Sequence, residues 1–168
     1  MISRFNILNE RGNFLSCILN NGRPSLPVLV FVHGFAGNKD ENGLFVEAEN
    51  FFAGKGYNTA RFDMEGVGES LGEYAKTTLE KQVSDFNLVL DFLKKNYGYP
   101  KIGVVGFSLG ATVSILGNNP CVDSYSFWSP ALFPSVDMFP RYNSEDIKKE
   151  LSEKGYIDKS GVKVGSSI

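Results

Sequence analysis

Histidine is nearly absent from this chain: His33 is the only one in 168 residues. That scarcity excludes a metal centre built on histidine pairs, and any reaction that needs a histidine base must use His33 or find one elsewhere. Cysteine is almost as rare. Cys17 and Cys121 are far apart and form no C-x-x-C, so they are expected as small core residues, not as a disulfide framework or zinc site. No apolar run approaches a membrane span, and residues 1–6 carry no signal-peptide h-region, so a cytoplasmic location is expected. A net charge of -2 provides no electrostatic attraction to nucleic acid or to an anionic membrane, and points to a small neutral or mildly polar ligand. There is no G-x-x-x-x-G-K-[ST], and the glycines at 66, 68 and 72 have neither the spacing nor the following helix of a dinucleotide loop. No cofactor and no metal are therefore expected. With 42% hydrophobic and 21% charged residues, what remains is an ordinary single core.

Strand-like segments at 2–8 and 14–19 flank the turn composition Asn9-Glu10-Arg11-Gly12-Asn13 and predict an antiparallel hairpin. Residues 28–32 form a β-branched and aromatic run, expected as a central strand buried on both faces. It empties into His33-Gly34-Phe35-Ala36-Gly37-Asn38, a loop at a strand's carboxyl end, where open α/β sheets place ligands. Leu44, Ala48, Phe51 and Phe52 fall at helical spacing before Gly54 and Gly56, and predict a helix covering one sheet face. A short strand follows at 57–62. Thr77 and Glu80 read as a capping box for a helix whose stripe is Leu79, Val83, Phe86, Leu90, Leu93 and Tyr97, closed by Gly98. Further strands are expected at 101–107 and 124–128. The alternation of strand and helix argues for a mainly parallel sheet with helices on both faces.

After Ala131 the composition changes. Prolines and aromatics crowd 133–142, an amphipathic helix over 144–154 turns Ile147 and Leu151 inward, and 156–157 pairs with 162–164 around Ser160-Gly161. Residues 1–130 thus read as the core and 131–168 as a partial lid.

Gly106-Phe107-Ser108-Leu109-Gly110 is the stretch with the most chemical content. An apolar strand leads into it and the small-residue helix beginning at Ala111 leaves it, the context that G-x-S-x-G requires. Flanking glycines make room for a serine held in a sparsely populated backbone conformation, at about 1–3 kcal/mol. The bland alternative is a glycine-flanked strand end with no chemistry.

Taken with the 33–38 loop and Arg61-Phe62-Asp63-Met64-Glu65-Gly66-Val67-Gly68-Glu69-Ser70, in that order, this motif resembles the N-terminal part of an α/β-hydrolase. The resemblance is to the intracellular esterase and serine-aminopeptidase-like group that includes cinnamoyl (feruloyl) esterases. It implies an α/β-hydrolase-type sheet with an N-terminal antiparallel hairpin and with the C-terminal strands missing. It implies Ser108 as nucleophile, backbone N–H groups of Leu109 and Phe35 as oxyanion donors, and a small-molecule ester or amide as substrate. Each such donor is worth about 2.7–4 kcal/mol. The Asp63 loop would be structural, and Glu65 receives no role. In such enzymes serine, acid and histidine follow in chain order, and no histidine follows Ser108. His33, in the oxyanion-loop motif, is expected to be structural. Asp123, Asp137, Asp146 and Asp158 read as solvated charges, with Asp137 the one candidate for a triad acid. The acid and base are therefore expected from a missing segment or a partner chain. The 124–128 strand would be an exposed edge, open to a homodimer or a complementing C-terminal chain. The competing expectation is an inactive remnant that serves as a binding module.

Overall fold

The computed structural model describes residues 1–132, 144–159 and 161–165. Six strands form one sheet: β1 (Ile2–Leu8), β2 (Phe14–Asn20), β3 (Val28–Val32), β4 (Asn58–Phe62), β5 (Ile102–Phe107) and β6 (Ser124–Trp128). Their spatial order is β1-β2-β4-β3-β5-β6. β1 and β2 form the expected hairpin, β2 meets β4 antiparallel, and the β4, β3, β5 and β6 pairings are parallel. β3 is interior and β6 lies at the edge of this sheet, both as expected.

The period of two along β3 sorts its side chains between two cores. Val28, Val30 and Val32 join the larger one, with Phe86, Leu90 and Leu93 of α2 (Leu79–Tyr97) and Val113 of α3 (Leu109–Gly117). Phe31 joins the smaller one with Val105 of β5 and Phe45 of α1 (Leu44–Gly54). Helices therefore cover both faces. Cys17 is buried and Cys121 half-buried, both as free thiols.

Two expectations about helices need correcting. The inward face of α1 is carried by Phe45, Ala48, Glu49 and Phe52, while Leu44 and Phe51 are exposed. Periodicity hid this because one buried position is a carboxylate, tolerated there because Arg61 Nε donates to Glu49 Oε2 at 2.9 Å. The second concerns α2, whose N-cap is Thr78 and not Thr77: the Thr78 hydroxyl accepts from Lys81 N–H at 3.3 Å. Thr77 is buried with its hydroxyl unpaired among the described residues. Thr78→Ala should therefore cost about 1 kcal/mol, whereas Thr77→Val, which removes an unsatisfied group, should be neutral or stabilising. Urea melts of the two variants separate these assignments.

Beyond the sheet, α4 (Glu145–Lys154) begins at the Ser144 N-cap, with Ile147 and Leu151 packed on the larger core. β7 (Ile157–Lys159) and β8 (Val162–Val164) pair antiparallel, as expected. Ile157 and Val164 are buried in that same core. Residues 133–143, with Asp137 and the whole proline- and aromatic-rich tract, lie outside the described residues.

Candidate active site

β5 ends at Phe107 and α3 begins at Leu109, so a single residue, Ser108, makes the strand-to-helix turn. Its backbone adopts φ 51° and ψ -118°, a region a non-glycine residue enters only under constraint. The constraints are visible. Ser108 N–H donates to Trp128 O at 3.0 Å, and Ser108 O accepts from Ala111 and Ala131 N–H, each at 3.1 Å. Close approach of helix to sheet depends on the flanking glycines: a Cβ on Gly110 would stand 2.2 Å from Val32 O, and one on Gly106 would stand 2.7 Å from Ala111 Cα. Serine is a preferred helix N-cap, yet the Ser108 hydroxyl makes no capping bond. Leu109 N–H follows at the first helical position, among the amides that have no intrahelical acceptor and at the positive end of the helix dipole.

The loop after β3 lies directly against this turn, since a Cβ on Gly34 would be 3.2 Å from Ser108 Cβ. Its backbone is ordered from within. Gly34 O accepts from His33 Nδ1 at 2.9 Å and from Gly37 N–H at 3.1 Å, while Gly34 N–H donates to Glu41 Oε2 at 2.8 Å. Because the peptide is planar and trans, holding Gly34 C=O this way turns Phe35 N–H in the opposite direction.

His33 is buried, and both ring nitrogens are committed. Met64 N–H donates to Nε2 at 3.1 Å, which leaves the proton on Nδ1 for Gly34 O. Burial pushes its pKa down, against the opposing pull of the Gly34 bond and of Asp63 and Glu41. A neutral imidazole with two backbone partners is a scaffold for the loop, as expected of it.

The Asp63 loop has the bracing geometry anticipated for it. Its carboxylate accepts from Lys39 N–H at 2.6 Å and Glu69 N–H at 2.9 Å and pairs with the Lys39 ammonium. Burial disfavours the Lys39 charge, but bonds to Asp63 and Glu69 hold its pKa above the ordinary value.

Glu65, to which the sequence assigned nothing, turns out to have a structural role. Its Oε2 accepts from Asn9 Nδ2 at 2.7 Å and Arg11 Nε at 2.6 Å, and its N–H donates to Asp85 Oδ2 at 3.0 Å. Arg11 also pairs with Asp85. The cluster ties the β1–β2 turn to the loop after β4 and to α2. Asp123 and Asp158 are exposed, as expected of solvated charges, and each also accepts from a backbone amide, Asp123 Oδ2 from Ile102 N–H at 2.9 Å and Asp158 Oδ1 from Gly161 N–H at 2.8 Å. Asp146 is exposed in the first turn of α4. Lys39, Asp85 and Lys159 went unnoticed because each gains its partner only through chain-distant loops. The one available signal was Asp85, a charge set beside Phe86 in the apolar stripe of α2.

The family described as Serine aminopeptidase, S33, matches residues 24–151. An uncharacterized 31.7 kDa protein of the traX-finO intergenic region of Escherichia coli is 34% identical over 103 residues, 60% of this chain and 35% of that protein. The 2-succinyl-6-hydroxy-2,4-cyclohexadiene-1-carboxylate synthase of Escherichia coli O8 (strain IAI1) is 33% identical over 99 residues, 57% of this chain and 34% of that protein. The chain thus spans about a third of the length of these curated relatives. Among solved structures, the Pyrococcus furiosus esterase Pf2001 is similar with a TM-score of 0.71 and 27% identity, over 80% of this chain and 53% of that one. Est1E from Butyrivibrio proteoclasticus, bound to ferulic acid, shares the fold with a TM-score of 0.76 at 23% identity, over 96% of this chain and 67% of that one. With the strand order, the Ser108 turn and the family match in agreement, the chain belongs to the serine aminopeptidase family of α/β-hydrolases.

Proposed function

We propose that this chain carries the acyl-transfer centre of a serine hydrolase that acts on small carboxylic esters or amides. Ser108 Oγ attacks the acyl carbon, and the oxyanion that develops is received by the N–H groups of Leu109 and Phe35. The alcohol or amine departs with a proton, leaving an acyl-enzyme that water then cleaves. The observation that carries this reading is Ser108 itself, held at φ 51° on a strand-to-helix turn with its hydroxyl spared from capping. His33 is too fully engaged to take the serine proton. In this reading the base and its orienting acid come from a further segment or a partner chain, for which the β6 edge is the docking position, and residues 131–168 form part of a lid. No helix among the described residues is long and apolar enough to cross a membrane, and the reading places the chain in the cytoplasm.

The test is a fluorophosphonate probe together with hydrolysis of a short-chain p-nitrophenyl ester, on the purified chain and its Ser108→Ala variant. Slow labelling, sustained by the oxyanion donors without the base, that maps to Ser108 and disappears in the variant is the expected result; labelling equal in the two proteins would refute the assignment. A second reading, a binding module without turnover, is favoured by the engagement of both His33 nitrogens. It predicts a ligand-binding chain that the probe leaves unlabelled.

A further inference from the structure

Phe35 is flanked by two peptides, and different parts of the molecule hold them. The preceding one is fixed by His33 and Gly37 on Gly34 O. The following one, between Phe35 and Ala36, is gripped at both edges: Lys159 Nζ donates to Phe35 O at 3.3 Å, and Ala36 N–H donates to Tyr74 Oη at 3.0 Å. Lys159 Nζ also sits 4.3 Å from the centroid of the Phe35 ring, and the Tyr74 ring meets that ring edge-on at 6.2 Å. Tyr74 is buried, and its hydroxyl also accepts from Gln82 Nε2 of α2 at 3.2 Å. Ala36 stands at φ 52°, in the region alanine disfavours, so this peptide needs external restraint to keep its orientation.

Lys159 comes from far along the chain. It lies at the end of β7, and the β7–β8 hairpin is anchored by Ile157 and Val164 in the core that also includes Tyr74. Gly165, just after β8, packs so closely on Ala75 that a Cβ there would be 1.9 Å from Ala75 O. One platform, the Tyr74 turn, thus seats both the hairpin that carries Lys159 and the loop that Lys159 grips.

We propose that Lys159 is a positioning residue: it clamps the Phe35–Ala36 peptide and, through it, the orientation of Phe35 N–H, so that seating of the β7–β8 hairpin sets the geometry of the oxyanion donor. The interaction has two parts, a charge-assisted hydrogen bond to the carbonyl and a cation over the ring. The lysine acts without touching the reacting atoms. This inference rests on the acyl-transfer reading only for its catalytic consequence, since the clamp itself is a statement about the loop.

The test compares Lys159→Met, which keeps the stem and removes charge and donor, with Lys159→Arg. Amide hydrogen exchange at residues 36–37 is read alongside the rate at which a fluorophosphonate modifies Ser108. Expected for Lys159→Met is at least a tenfold loss of protection at Ala36 and Gly37, whose amides donate to Tyr74 Oη and Gly34 O, with β5 and α3 unchanged. The modification rate should fall roughly tenfold, a fraction of the about 10²–10³ associated with losing an oxyanion donor outright. Lys159→Arg should restore both. Unchanged protection in Lys159→Met overturns the clamp. Lost protection with an unchanged modification rate overturns its link to the donor. Should the parent chain not be modified at all, it is the Ser108 reading that falls, and exchange at 36–37 still decides the clamp. If Lys159→Met unseats the hairpin, exchange at 157–164 reveals it, and Phe35→Leu, which removes the ring but keeps the carbonyl bond, then supports the clamp by a smaller loss at 36–37 and overturns it by none.

Discussion

Gly110→Ala is expected to be among the most damaging single-methyl additions available to this chain. The new Cβ would lie 2.2 Å from Val32 O and 2.6 Å from His33 O, both backbone atoms at the end of a buried central strand. No rotamer relieves such a contact; α3 must move off the sheet. Overpacking a core commonly costs about 1–3 kcal/mol when side chains can adjust. Here they cannot, so a loss above about 3 kcal/mol is expected, a large part of the about 5–15 kcal/mol that holds a domain together. The displacement would also carry Ser108 and Leu109 away from the Gly34 loop, so fluorophosphonate labelling should fall even in the fraction that remains folded. Gly54→Ala is the matched control. It makes the same chemical change at the exposed end of α1, where a Cβ meets nothing within 4 Å, and helix propensity predicts a gain of up to about 1 kcal/mol. Denaturant titrations should show opposite signs, and a Gly110→Ala midpoint equal to that of the parent would contradict the close helix–sheet contact.

Arg11→Met should be nearly as costly and should change how stability responds to pH. Arg11 is the cation between two carboxylates, with Nε 2.6 Å from Glu65 Oε2 and a pair to Asp85, which is fully buried. Removing one member of a buried pair costs about 3–5 kcal/mol; the Arg11 side chain is 20% exposed, so the lower end is expected. In the parent protein the two acids act in opposite directions. Burial would raise Glu65, but hydrogen bonds from Arg11 and Asn9 hold it below the usual carboxylate range, so its contribution is present above the unfolded pKa and is lost as pH falls. Asp85 is raised, with burial outweighing its bonds to Glu65 N–H, Asn9 and Arg11, so its contribution is present at low pH and is lost as pH rises. Without Arg11 both carboxyls are desolvated and short of a cation, both pKa values rise, and the variant should gain stability relative to the parent between pH 7 and 5. His33, with its lowered pKa, loses stability in both proteins as pH falls below its unfolded value, so the difference between the two profiles isolates the cluster. Thermal melts at pH 5, 6 and 7 give that difference, and parallel profiles would show that Arg11 does not hold these acids.

Much of the framework is legible in one dimension because it rests on short-range rules. A continuous apolar run such as Val28–Val32 has few places to go except a sheet interior. The stripe from Leu79 to Tyr97 can be buried only as a helix, and Gly98 at φ 62° ends it as expected. Errors arose where two residues offered the same chemistry, as at Thr77 and Thr78, or where a buried charge interrupted a pattern, as at Glu49. The G-x-S-x-G turn was readable for the same local reason: its strain is set by the serine and its two glycines, together with the strand and helix that flank them.

The amino-acid sequence by itself determined the strand and helix order, the mainly parallel sheet, the strained Ser108 turn and the single histidine at position 33, since each follows from neighbouring residues or from composition. Only the tertiary structure decided which chain-distant groups meet. His33 is spent on Gly34 O and Met64 N–H, Arg11 bridges Glu65 and Asp85, and Lys159 reaches Phe35 across 124 positions of chain. A hydrogen bond or an ion pair forms between groups a few ångströms apart whatever their separation in sequence, so no periodicity records it, and the fold alone brings its partners together.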